Sequence, residues 1–141
     1  GFGLNFKITD LQSSLGLSQF NKIERFINNK KTLLKVYEKT INNPNVSFIG
    51  FKDNELPWFY DIKLNTIKNK KILVDKLKSK GIETRDSYPA LSLQKYLSEY
   101  KTSDLRYSES IFKKIVWLPS SNNLTSKDVS YISSVVNSIT S

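Results

Sequence analysis

The 141-residue chain contains no His and no Cys, and those two absences narrow the chemistry open to it. Without imidazole it lacks the usual general base near neutral pH and the commonest metal ligand. Without thiols it has neither disulfides nor thiolate chemistry, which fits a reducing cytoplasm. Catalysis would fall to lysine, tyrosine or carboxylates, or to a cofactor supplied from elsewhere. Arginine, whose planar fork grips carboxylates and phosphates, occurs only at Arg25, Arg85 and Arg106. Arg85 closes the stretch Gly81-Ile82-Glu83-Thr84-Arg85, which runs on through Tyr88-Pro89 to Ser92. By residue type alone, Arg85 suits a structural salt bridge nearly as well as a substrate contact. Asn5 suits a turn and Lys7 a solvated surface. Trp58, Phe59 and Trp117 read as core side chains before they read as a ligand platform.

The formal charge of +9 invites a nucleic-acid reading. Its distribution argues against one, because the lysines are scattered through every segment and the bidentate arginines that read phosphate and base edges are scarce. No apolar run reaches the ~18 residues of a membrane-spanning helix, and no basic stretch followed by an apolar one marks a signal peptide. The sequence is thus read as a cytoplasmic globular domain with neither nucleic acid nor membrane as partner.

The elements that must position these residues emerge from periodicity. After an extended lead-in over residues 1–8, Thr9 and Gln12 form a capping box. A helix follows with Leu11 and Leu15 on one side and a weak point expected at Gly16. Phe20, Ile23, Ile27, Leu34, Tyr37 and Ile41 then predict a long amphipathic helix, ended by Asn42-Asn43-Pro44. Val46–Ile49 and the alternation over residues 58–64 predict strands. Asn69 is expected to cap a helix carrying Leu73, Val74 and Leu77, stopped by Lys80-Gly81. Ile82–Arg85 predicts a short strand. Tyr107, Ile111 and Ile115 predict a helical face, Val116-Trp117-Leu118 a buried extended segment, and Thr125 with Asp128 a second capping box. The last helix turns Val129, Ile132, Val136 and Ile139 to the core. The fold class is α+β: a small, mostly antiparallel sheet with helices on one face.

Three stretches, taken together and in order, resemble the DegT/DnrJ/StrS family of sugar aminotransferases, which depend on pyridoxal phosphate. The first is Gly3-Leu4-Asn5-Phe6-Lys7 with the subsequent Asp10-Leu11-Gln12 and Gly16-Leu17-Ser18-Gln19. The second is Gly81–Arg85 leading into Tyr88-Pro89-Ala90-Leu91-Ser92-Leu93-Gln94. The third is Trp117-Leu118-Pro119-Ser120-Ser121 before Leu124-Thr125. The resemblance covers nearly the whole chain and identifies residues 1–141 as the family's C-terminal small domain, of the fold-type I class.

That resemblance implies a division of labour. The domain holding the Schiff-base lysine precedes this region in the family, so the chain alone is expected to be inactive and without cofactor. The full enzyme is expected to be a homodimer moving an amino group from an amino acid to a nucleotide-linked keto sugar. Asn5 matches the asparagine that reaches the cofactor phosphate of the neighbouring subunit. Lys7 matches a substrate-side cation that is usually arginine, and Arg85 a basic position facing substrate. Ser92 stands where many relatives carry histidine, which shifts any sugar contact from that turn to Tyr88 or Ser92. The alternative is a stand-alone binding or interaction module derived from such a domain and devoid of catalysis.

Overall fold

The computed structural model describes residues 7–52, 54–100 and 103–139. Asn5 and most of the lead-in therefore lie outside the described residues.

Alternating side chains and cross-strand register build the sheet. Its strands are β1 (Val46–Phe48), β2 (Tyr60–Leu64), β3 (Arg85–Asp86) and β4 (Ile115–Leu118). They lie in the order β1-β2-β4-β3, with all neighbours antiparallel. Ile62 sits opposite Val116 and Tyr60 opposite Leu118, so these four side chains share one face, as the two-residue repeat of a strand requires. That face is buried against α2 (Ile23–Thr40), α3 (Ile67–Ser79) and α5 (Ser126–Asn137), which contribute Leu34, Tyr37, Leu73, Leu77, Val129 and Val136 to one core. The expected α+β architecture, with its order of elements, is what the chain adopts.

Local chemistry sets the ends of these helices. Thr9 and Gln12 close the capping box of α1 (Asp10–Phe20), and Thr125 and Asp128 close that of α5. Gly81 takes φ +73° past the end of α3, a conformation in which a Cβ would be strained. Asn43, buried in the α2–β1 turn, donates from Nδ2 to the carbonyls of Val136 (2.9 Å) and Ile139 (3.0 Å). It thereby binds the end of α5 to the end of α2.

Several expectations need correction. Helix α1 runs through Gly16 without a break, and the chain turns at Asn21-Lys22 instead, so Phe20 belongs to α1 and not to the long helix. Thr66, not Asn69, caps α3: its hydroxyl accepts from the Asn69 amide at 3.0 Å, which starts the helix at Ile67. Ile115 opens β4 instead of extending the helical face of α4 (Arg106–Ile111), because a 3₁₀ turn at Phe112–Lys114 unwinds the chain between them. Ile82 is buried before β3 begins, and the strand is only Arg85–Asp86. Trp58 is no core residue. It is 76% exposed, since it precedes β2 and escapes the alternation that buries Tyr60 and Ile62.

Candidate functional site

The polar face of the sheet gathers the chemistry. Asp61 in β2 and Arg85 in β3 are both register partners of Trp117 in β4, so three strands deliver these side chains to the face opposite the core. The Trp117 indole lies near enough to the Asp61 carboxyl to favour its charged form. Phe59 stacks on the indole with centroids 3.8 Å apart and planes 4° apart. Tyr88 meets the same ring edge-on at 4.9 Å and 80°. Trp117 is thereby only 7% exposed, whereas Tyr88 keeps 72% of its surface in solvent.

Beside this stack lies a cavity of about 290 Å³, lined by Phe59, Glu83, Arg85, Trp117, Ser120 and Ser121 among others. Its Pro119 turn is pinned from the core side. The Tyr37 hydroxyl donates to the Pro119 carbonyl at 3.0 Å, and Asn29 donates to the Asn122 carbonyl at 2.8 Å. The Tyr60 hydroxyl donates to the Lys30 carbonyl at 2.9 Å. Burial pushes both phenols up, Tyr60 to about 12, so both hydroxyls keep their protons near neutrality. On the other side, Lys70 of α3 pairs with Asp86 at 2.8 Å. The two-residue strand that carries Arg85 is thus tied to a helix as well as to β4.

The sequence-derived candidates divide. Arg85 and Tyr88 come together around Trp117. Ser92 is half-buried and its hydroxyl donates to Glu109 Oε1 of α4 at 2.7 Å. With its proton committed there, its oxygen is left to accept from a ligand hydroxyl. Lys7 is exposed on the approach to α1. Sequence reasoning misses Phe59 and Asp61 as site residues, and with them Glu109 and the Lys70–Asp86 pair. The strand alternation places Phe59 and Asp61 on one face, but no local signal links positions 92 and 109.

Burial raises the Asp61 carboxyl above its ordinary 3.8, and the neighbouring Trp117 indole only partly offsets this. The folded carboxyl therefore holds its proton to a higher pH than the unfolded one does. Its contribution to stability is greatest below the unfolded value and declines as pH rises through the folded value. Asp61→Asn, which keeps an acceptor for the indole, is expected to stabilise the fold more at pH 7 than at pH 3. An NMR titration should place the Asp61 midpoint above 3.8. A midpoint at or below it, or a stability difference that does not change with pH, would contradict the assignment.

A pyridoxal phosphate site needs an amine for the Schiff base and an acid beside the pyridine nitrogen. Among the described residues, Lys30 is the lysine whose ammonium burial clearly lowers in pKa. Its Nζ is spent on the Trp58 carbonyl at 2.8 Å and lies over the Tyr60 ring, 5.6 Å from its centroid. That geometry anchors α2 to the β2 approach. It does not fit a cofactor-binding amine.

The sheet thus carries helices on its core face and an aromatic cluster with Asp61 and Arg85 on the other. Residues 1–137 match the DegT/DnrJ/EryC1/StrS aminotransferase family, and the chain belongs to it. The family depends on pyridoxal phosphate. Over 137 residues the chain is 28% identical to GDP-perosamine synthase of Escherichia coli O157:H7, covering 96% of this chain and 37% of that protein. It is 26% identical over 136 residues to the UDP-4-amino-4,6-dideoxy-N-acetyl-beta-L-altrosamine transaminase of Helicobacter pylori, covering 92% and 36%. Its fold superimposes on PseC of Helicobacter pylori, an aminotransferase of pseudoaminic acid biosynthesis, with a TM-score of 0.83 and 25% identity over 96% of this chain and 38% of that one. The chain spans little more than a third of the length of these relatives. No helix among the described residues is long and apolar enough to cross a membrane.

Proposed function

We propose that residues 1–141 form the C-terminal small domain of a sugar aminotransferase that moves an amino group from an amino acid to a keto group of a nucleotide-linked sugar. The observation that carries this reading is a meeting of two distant stretches. Glu83–Arg85 and Trp117–Ser121, which belong to separate family-like motifs, line one cavity. The relatives named above bear GDP-sugar and UDP-sugar names, which fits a cavity where Arg85 offers its guanidinium to a diphosphate.

In this reading the enzyme works in the cytoplasm as a homodimer, and the cofactor, when bound, supplies the electron sink and carries the amino group. The chain's own residues bind and orient. Arg85 offers a bidentate grip on a phosphate or carboxylate, and Lys7 adds a point charge. Tyr88, edge-on to Trp117, provides a rigid wall. Ser92, held by Glu109, accepts a hydrogen bond from a sugar hydroxyl. Asn5 donates an amide N–H to the cofactor phosphate across the subunit boundary.

With its amine elsewhere, the 141-residue chain mixed with pyridoxal phosphate is expected to form no stoichiometric aldimine. Absorbance between roughly 400 and 430 nm, where the protonated Schiff base is sought, should show no saturable band. A band saturating at one equivalent, removed by borohydride and mapped to one lysine of this chain, would overturn the division of labour.

A further inference from the structure

Arg85 and Tyr88 reach the polar face of the sheet from a sparsely held stretch. Strand β3, which carries Arg85, is two residues long and lies at the end of the sheet, with β4 as its described neighbour. Upstream, Ile82 is anchored in the core. Downstream, the next side-chain tie is Ser92 on Glu109. Among the described residues, one side-chain hydrogen bond or ion pair reaches residues 83–91 from outside them, that of Lys70 Nζ with Asp86 Oδ1 at 2.8 Å.

Strand alternation lets this pair act on the cavity without touching it. Arg85 is the register partner of Trp117 and Asp86 that of Val116, so their side chains leave opposite faces of the strand. Asp86 meets Lys70 of α3, whereas Arg85 lines the cavity beside Trp117. Neither Lys70 nor Asp86 lines that cavity. Tyr88 follows Asp86 by two residues and meets the same indole edge-on, so a single fixed point at Asp86 governs both site residues. The pair is also asymmetric. The Lys70 side chain is 12% exposed and that of Asp86 73%. With its stem packed away and α3 rooted in the core through Leu73 and Leu77, Lys70 brings an ammonium that has little freedom left to lose. Lys70 is the fixed member, and the strand is what it holds.

We infer that Lys70 is a positioning residue: through Asp86 it sets the place of β3, and with it that of the Arg85 guanidinium and the Tyr88 ring. Its consequence for binding rests on the reading of Arg85 as the grip on a diphosphate, while the geometry does not. A pair with one partner this exposed adds little to global stability. A binding group moved by a fraction of an ångström loses affinity out of proportion to that.

The three arginines, Arg25, Arg85 and Arg106, give three guanidinium Nε–Hε signals, so NMR of the 141-residue chain can follow Arg85 with the other two as controls. Inorganic pyrophosphate serves as the diphosphate probe. Lys70→Met keeps the stem and removes the charge. In the free chain it is expected to shift the Arg85 signal and weaken the Tyr88–Trp117 ring NOE. It should also raise the pyrophosphate dissociation constant about fivefold, with the melting temperature within about 3 °C. Lys70→Arg should restore binding to within about twofold. Asp86→Asn separates positioning from a mere field effect. Loss of a negative charge near the cavity would by itself tighten anion binding, whereas a strand set loose weakens it, as in Lys70→Met. An Arg85 signal and ring contact unchanged in Lys70→Met, or tighter pyrophosphate binding in Asp86→Asn, would overturn the inference. If pyrophosphate leaves the Arg85 signal of the parent chain unmoved, the diphosphate reading fails, and the ligand-free comparison still decides the role of Lys70.

Discussion

Trp117→Ala is expected to cost the fold about 3–5 kcal/mol, the usual range for emptying a large aromatic site. In a chain of this size that lowers the melting temperature by roughly 10–15 °C. The magnitude reflects what one side chain does. It stacks face to face with Phe59 at 3.8 Å, meets Tyr88 edge-on at 4.9 Å, and favours the charged form of the half-buried Asp61 carboxyl. Its removal opens a void between three strands and leaves the carboxyl without that indole. Trp117→Phe keeps the stack and loses only the indole donor, so its cost should be nearer 1–2 kcal/mol. Calorimetry on the two variants measures both. A loss within about 1 kcal/mol for the alanine variant, the range of an ordinary surface change, would mean that the polar face of the sheet is not organised around this ring.

The fold is legible in the sequence wherever a local rule has no competitor. Both capping boxes, at Thr9–Gln12 and Thr125–Asp128, form as spelled, because each hydroxyl has one amide in reach. The left-handed Gly81 and the core face of α5 are equally plain. Errors arise where two residues compete for one role or where packing outside the local sequence decides. Thr66 and Asn69 are both good caps, and the one nearer the exit of β2 wins. Gly16 has weak helix propensity, yet the capping box upstream and good formers around it carry α1 through. Trp58 lies two residues before the strand whose alternation would have buried it.

The candidate site is legible in part for the same reason. Arg85 and Tyr88 stand out by type and by family-like setting, and the sheet gathers them at Trp117. Glu109, which holds Ser92, lies 17 residues away in sequence and on another helix, a distance at which no spacing rule operates. The Lys70–Asp86 pair joins α3 to β3 across a turn. A sequence supplies many lysines and aspartates and does not say which will meet.

We propose a division of roles within an aminotransferase carrying this domain, in which Asn5 serves the cofactor and Lys7 the substrate. With Asn5 in that proposed role, Asn5→Ala should remove one hydrogen bond to a charged phosphate, a loss of about 1.5–3 kcal/mol, or roughly a ten- to hundredfold fall in cofactor affinity. Folding of the domain should be nearly untouched. With Lys7 in that proposed role, Lys7→Ala removes a substrate-binding charge and should raise the Michaelis constant while cofactor affinity is kept. The most direct measurement is a titration of the two apo full-length variants with pyridoxal phosphate. The expected result is the large loss in the Asn5 variant and a change within about twofold in the Lys7 variant. Unchanged affinity in the Asn5 variant, or equal loss in both, would contradict it.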